Sequence, residues 1–270
     1  MSLAAAHPDL LPPPSAVAAD LRTVGRLERA VELAWPLVLA GVVGGLASSR
    51  WWPGVVVAIA LFFPRFGVAF HDLLHRSLGL SRRANDRWLT VVGLLALQSG
   101  HAAQAAHEAH HRHLLTVDDP EAAIGLLPWW RGLLAGPLHH PRLCWWALSQ
   151  GAAPRAVVVG EVAVCTTAVL AAISLVPWTP APLVVVALVL AGDGVFPVLS
   201  QTFLHPRHRP TLLGPTRTVR GRLFTWYFLE LGYHVEHHAY PDVPTRHVAE
   251  LSRRIEPALL AAGVEPTRLR

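Results

Sequence analysis

Three short stretches of this chain place histidines at spacings that put several imidazoles on one side of a helix. The first is His71-Asp-Leu-Leu-His75, a pair at i and i+4. The second, His107-Glu-Ala-His110-His111, sets three imidazoles at i, i+3 and i+4, within about one helical turn. The third, His234-Val-Glu-His237-His238, repeats that spacing in a distant segment. Packing needs do not produce such a repeat, but metal ligation does. Imidazole suits iron, zinc, copper and nickel, whereas magnesium and calcium prefer oxygen. Eight histidines exceed what one tetrahedral zinc can use, so two metals are implied. Ligating histidines are neutral and usually pass their second N–H to a carboxylate or carbonyl. Asp72, Glu108 and Glu236 lie inside the clusters and are the expected acceptors.

The elements that hold these residues must suit a very apolar chain. Of 270 residues, 52% are apolar and 15% charged, with a mean hydropathy of +0.37, which fits a membrane protein better than a soluble domain. The same composition excludes a disordered regulator, and two cysteines outside any CxxC spacing exclude a disulfide scaffold. A net charge of +5 could point to nucleic acid, but lysine is absent and the arginines flank apolar runs. Four stretches are long enough to span a bilayer as helices: residues 33–48, 51–70, 156–176 and 182–204. They pair into two hairpins, one turning at Ser49 to Pro53 and the other at Pro177 to Pro180.

Arg22, Arg26 and Arg29 precede the first span, and Arg76, Arg82, Arg83 and Arg87 follow the second, so both flanks are expected on the cytoplasmic side. The histidine-bearing segments then meet at one surface, as a cytoplasmic helical cap on an all-α integral membrane fold. Residues 88–97 and 124–138 are apolar but too short or too broken to span, and read as interfacial. Two ionisable residues fall inside the spans: Arg65 snorkels from a helix end, and Asp193, deeper, is either functional or a helix-packing residue. Residues 1–30 read as a poorly ordered, Pro-rich lead-in without signal-peptide character, 31–255 as one catalytic domain and 256–270 as a tail.

His-Asp-Leu-Leu-His, His-Glu-Ala-His-His and His-Val-Glu-His-His, in this order and separated by apolar pairs, resemble the three histidine boxes of the membrane fatty acid desaturase superfamily. The resemblance runs from about residue 33 to 251, and the Gly232–Pro244 tail is especially close to the third box. It implies two non-haem irons held by the histidines, O2 as co-substrate, and external electrons used to oxidise a lipid C–H bond. Acyl members carry Asn-x-x-x-His at the end of the fourth span. Gln201-Thr-Phe-Leu-His205 stands there in this chain, making His205 a ninth ligand with Gln201 beside it. The resemblance thus implies a fatty acyl desaturase, with a carotenoid ketolase or hydroxylase of the same superfamily as the alternative. SQTFLHPRHRP and the third box favour the carotenoid branch, while Arg76 after the first box does not.

No flavin-binding or haem signature is visible, so a ferredoxin-type or cytochrome-type donor is expected to dock on the arginine-rich face through attraction that salt weakens. A rival is an intramembrane zinc protease, because residues 107–111 match HExxH with Glu108 as general base, although that leaves two clusters unused. A metal transporter is the non-enzymatic rival, but transport sites lie near the bilayer midplane, not at span ends. His139, His140 and His247 read as interfacial or surface residues. His101, His113 and His208 also stand outside the boxes, the last two read as bland residues with a ligand-supporting role as the alternative.

Overall fold

The computed structural model describes residues 3–205 and 213–269, and these are mostly helical. Among the described residues, four helices are long and apolar enough to cross a membrane: α1 (Arg26–Ser48), α2 (Trp52–Leu74), α6 (Arg155–Ser174) and α7 (Ala181–Leu204). The shorter helices between α2 and α6 include α3 (Arg82–Leu95), α4 (Gly100–His113) and α5 (His139–Ser149). After α7 come α8 (His234–Ala239) and α9 (Val248–Ala261), and a parallel pairing of Val219–Arg220 with Thr267–Arg268 is the one two-stranded element among the described residues. His208 lies outside the described residues.

The central helix is α2, which packs against α1, α3, α4 and α7 and buries Phe62, Phe63, Phe66, Phe70 and Leu73. Its phenylalanines form a stacked column, with Phe66 4.8 Å from Phe70 and 5.4 Å from Phe62 between ring centres. The other long helices expose apolar side chains such as Val157, Val164, Leu170 and Ile173 on α6, a surface that lipid solvates and water does not. Pro36, Pro64 and Pro197 sit inside long helices, as transmembrane segments tolerate.

Helices α3 and α4 are started by serine caps: Ser81 accepts from Ala84 N at 3.3 Å and Ser99 from Ala102 N at 3.2 Å. The stretch 88–97, read from sequence as interfacial, instead runs alongside α2. Leu89, Val92 and Ala96 are fully buried, so an apolar stripe found a protein partner rather than a lipid surface. The turn after α3 carries Gln98 to Asp193, midway along α7.

Residues 124–138 likewise fold onto α7. Gly136 meets Gly194 backbone to backbone, and a Cβ added at Gly136 would lie 2.3 Å from the Gly194 carbonyl oxygen. Gly136→Ala is therefore expected to destabilise the detergent-solubilised protein by about 1–3 kcal/mol, seen as a lowered Tm. Gly41→Ala, whose Cβ would meet nothing within 4 Å, is the matched control and is expected to leave Tm unchanged or raise it.

The N-terminal segment departs from the expected loose lead-in. Leu11, Ala18 and Leu21 are buried against Tyr240, Val243, Leu251 and Ile255. Tyr240 Oη donates to Pro12 O at 2.7 Å, and Arg254 grips the Asp20 carboxylate at 2.6 and 2.9 Å. These residues cover the apolar back of the segment that carries the third histidine cluster. Likewise, α9 runs through the expected boundary at 255–256, with Leu259 and Val264 buried beyond it.

Candidate metal centre

His71 occupies the last turn of α2 and His75 its C-terminal cap, while α4 supplies His107, His110 and His111. His205 caps α7, and α8 supplies His234, His237 and His238. The helices converge so that eight of these nine imidazoles fall into two groups: His71, His75, His107 and His237, and His110, His205, His234 and His238. Within each group the ligand atoms lie within 4.8 Å of one another.

The nitrogens point inward. In the first group Nε2 of His71 and of His237 are 3.1 Å apart, and Nε2 of His107 and of His75 are 2.9 Å apart. In the second, His234 Nε2 lies 2.9 Å from His205 Nε2 and 3.0 Å from His238 Nε2. His111 stands between them, its Nε2 3.0 Å from His237 Nε2 and its ring stacked on His238 at 4.2 Å. In each group four ring nitrogens converge on one point, an arrangement that fits a cation at each focus.

Protonation states agree with that fit. Burial, then the neighbouring imidazoles, hold His75, His111, His234, His237 and His238 well below the usual histidine range, so they are neutral at pH 7, the form that ligates a metal. His205 is held well below it by burial first. Burial would also lower His110, but the charges of Glu121 and Asp119 outweigh it and the net direction is upward. Glu121 is held well below the ordinary carboxylate range because the charges of His107 and His110 outweigh its burial. The pocket thus calls for positive charge beside these two acids.

The acids that serve the histidines are not those expected from the sequence. His107 Nδ1 lies 3.1 Å from Glu121 Oε1, and His110 Nδ1 lies 2.8 Å from Asp119 Oδ2. Asp72 instead accepts from Thr245 N and Oγ1 at 2.8 and 2.6 Å; its Oδ1 lies 4.0 Å from His71 Nδ1, which is closer, at 3.3 Å, to Thr245 Oγ1. Glu236 accepts from Ser252 at 2.5 Å and from Thr218. Glu108 is exposed, beside Arg76, Arg82 and Arg87 on the outer face of α4. For Glu108 and Glu236 the reason is geometric: residues adjacent in sequence point about 100° apart on a helix, and these two acids turn away from the imidazoles beside them.

Other histidines also moved. His139 is buried, with burial pushing its pKa down to about 3, and His140 is partly buried beside Asp193. His247 Nδ1 meets Leu21 O at 2.7 Å, and His113 is exposed at the end of α4. His101 Nδ1 lies 2.9 Å from Glu161 Oε1. Glu161, a third ionisable residue inside a span, also accepts from Ser99 and Thr90 at 2.6 and 2.5 Å and ties α6 to the turn before α4. Arg65 lies over the Trp35 ring at 5.5 Å, away from the histidines.

Both groups open onto a cavity of about 150 Å³. Phe63, Phe66, Phe70 and Phe196 line its apolar wall, and His71, His107, His110, His205 and His234 its histidine end. Gln201 also lines it, one turn before His205, pressed against Gly125.

The sequence model of the fatty acid desaturase family matches residues 49–268, which takes in every histidine of both groups. The chain belongs to the fatty acid desaturase family. Among curated relatives of this desaturase-family chain, the human sphingolipid delta(4)-desaturase/C4-monooxygenase DES2 is 32% identical over 210 residues, covering 70% of this chain and 61% of the relative. The Bos taurus protein of the same description is 31% identical over the same shares. The chain thus spans about three fifths of the length of these relatives.

Proposed function

We propose that this desaturase-family chain is a membrane non-haem di-iron oxidase that uses O2 and externally supplied electrons to desaturate a lipid chain. His71, His75, His107 and His237 would hold one iron, and His110, His205, His234 and His238 the other, with His111 between them. The observation that carries this reading is the pair of inward-facing imidazole groups at the end of an apolar cavity. What the metal pair supplies is oxidation of an unactivated C–H bond, chemistry beyond any side chain.

The chain's own residues do the rest. The phenylalanine wall binds a hydrocarbon chain and excludes water, and Asp119 and Glu121 orient His110 and His107 by accepting hydrogen bonds from their Nδ1–H groups. The four long helices are read as two hairpins with both loop ends of the histidine cap in the cytoplasm, where arginines accumulate. Arg76, Arg82 and Arg87 line a groove on that side, suited to an acidic ferredoxin-type or cytochrome-type donor. The relatives' names concern sphingolipids, which favours a lipid chain over a carotenoid.

The direct test is expression with iron and a reducing partner, followed by metal analysis and lipid mass spectrometry. About two irons per chain and a new double bond are expected, whereas one zinc and unaltered lipids overturn the proposal. Glu108→Gln separates the oxidase from a zinc protease. Because Glu108 faces outward, lipid oxidation by this variant is expected to stay within about twofold of the parent. Loss of a general base in a protease costs far more, typically 10²–10⁴-fold.

A further inference from the structure

A helix leaves its last four carbonyls without partners of its own, and inside a protein each needs a donor. The end of α2 carries His71 in its last turn and His75 as its cap, and all four of its carbonyls are taken. His71 O accepts from His75 N at 3.1 Å, and Asp72 O from Ser77 N and Oγ at 3.0 and 3.2 Å. Leu73 O accepts from Asn85 Nδ2 of α3 at 3.0 Å, and Leu74 O from Gln104 Nε2 of α4 at 2.8 Å. Asn85 and Gln104 are 1% and 5% exposed, so water cannot replace either amide.

The two amides differ in what they join. Asn85 ties α2 to a helix that carries no histidine of either group. Gln104 ties the residue before His75 to α4, where His107 stands at i+3 from Gln104 on the same face. Its hydrogen bond thus links the two helix ends that supply His71, His75 and His107, three members of the first group, whereas the second group takes nothing from α2. The amide has one orientation, because Arg76 donates from its NH2 nitrogen to Gln104 Oε1 at 3.0 Å and leaves Nε2 for the carbonyl. Arg76 itself stands at the left-handed position that ends the helix, φ 55°, where glycine is the usual residue. Glycine has no side chain to fix the amide.

We propose that Gln104 is a positioning residue: its amide, oriented by Arg76, latches α4 to the end of α2 and so sets the spacing of His75 and His107, whose Nε2 atoms are 2.9 Å apart, about the first focus. The latch serves the first group and not the second. This rests on the two-metal reading of the site.

The test is cobalt(II) binding to the full chain in detergent, titrated against a chelator and read by the cobalt d–d absorption, without turnover. The parent is expected to bind two ions. In Gln104→Met, which nearly keeps the volume and loses the donor, one ion is expected to bind about 10- to 100-fold more weakly with a shifted absorption band, and the other within about twofold of the parent. Arg76→Met changes an exposed side chain and keeps the test decisive if Gln104→Met fails to fold; it is expected to weaken the same ion about threefold to tenfold. Asn85→Ala removes a bond of the same kind from the same helix end, and is expected to lower Tm while leaving both cobalt affinities in place. Equal weakening of both ions in Gln104→Met, no weakening of either, or the same cobalt response in Asn85→Ala overturns the latch while leaving the two-metal reading intact. A parent chain that binds fewer than two ions overturns that reading, and this inference with it.

Discussion

His237→Ala is expected to abolish lipid oxidation, by about a thousandfold or more, or about 4 kcal/mol of transition-state stabilisation at 1.36 kcal/mol per tenfold. The reason is position. His237 Nε2 faces His71 at 3.1 Å in the first group and His111 at 3.0 Å between the groups. Its removal deprives one proposed iron of a nitrogen and loosens the imidazole that separates the two. Iron per chain is expected to fall below two, measured on purified protein beside lipid product from the same preparation. Full product formation by the variant would remove His237 from the proposed ligands.

Asp119→Asn is the second large effect, although it adds or removes no heavy atom. Each oxygen of this buried carboxylate accepts two donors: Oδ2 takes Leu115 N at 2.8 Å and faces His110 Nδ1 at 2.8 Å, and Oδ1 takes Glu121 N at 2.9 Å and Ala122 N at 3.2 Å. An amide has one acceptor oxygen, so in either orientation its NH2 confronts two donors. The proton on His110 Nδ1 is then lost to Nε2, the atom that must face the metal, or the loop carrying Glu121 lets go. Metal affinity is expected to fall about 10- to 100-fold, read by competition with a chelator, with about 2–4 kcal/mol of stability lost. Asp118→Asn, at an exposed neighbour, is the control and is expected to do neither.

The four long helices and the histidine positions were readable because both obey short-range rules: twenty-odd apolar residues for a span, and i+3 or i+4 spacing for imidazoles on one face. His205 came from resemblance, since one histidine after a span has no periodic signature. The acids partnering His107 and His110 were not readable. They sit 14 and 9 residues further on, in a loop that folds back over α4, and no spacing rule encodes such a return. Proximity in sequence pointed instead to Asp72, Glu108 and Glu236, where helical geometry directs the side chains elsewhere. Glu161 could have been found as an acid within an apolar run, but its partners Thr90, Ser99 and His101 come from another helix pair. The stripe in 88–97 was legible as apolar, but whether lipid or protein would cover it depends on tertiary contacts.

Each imidazole group draws on both ends of the chain. The first takes His71, His75 and His107 and then nothing until His237, and the second joins His110 to His205, His234 and His238. A cation bound at either focus would therefore be a staple, closing a loop of well over half the protein in the first group and of nearly half in the second, and removing that freedom from the unfolded ensemble. Neither set exists on a nascent polypeptide that stops short of α8. Loading of the proposed metals would therefore follow synthesis, and the loaded protein is expected to resist unfolding as one unit, not helix by helix.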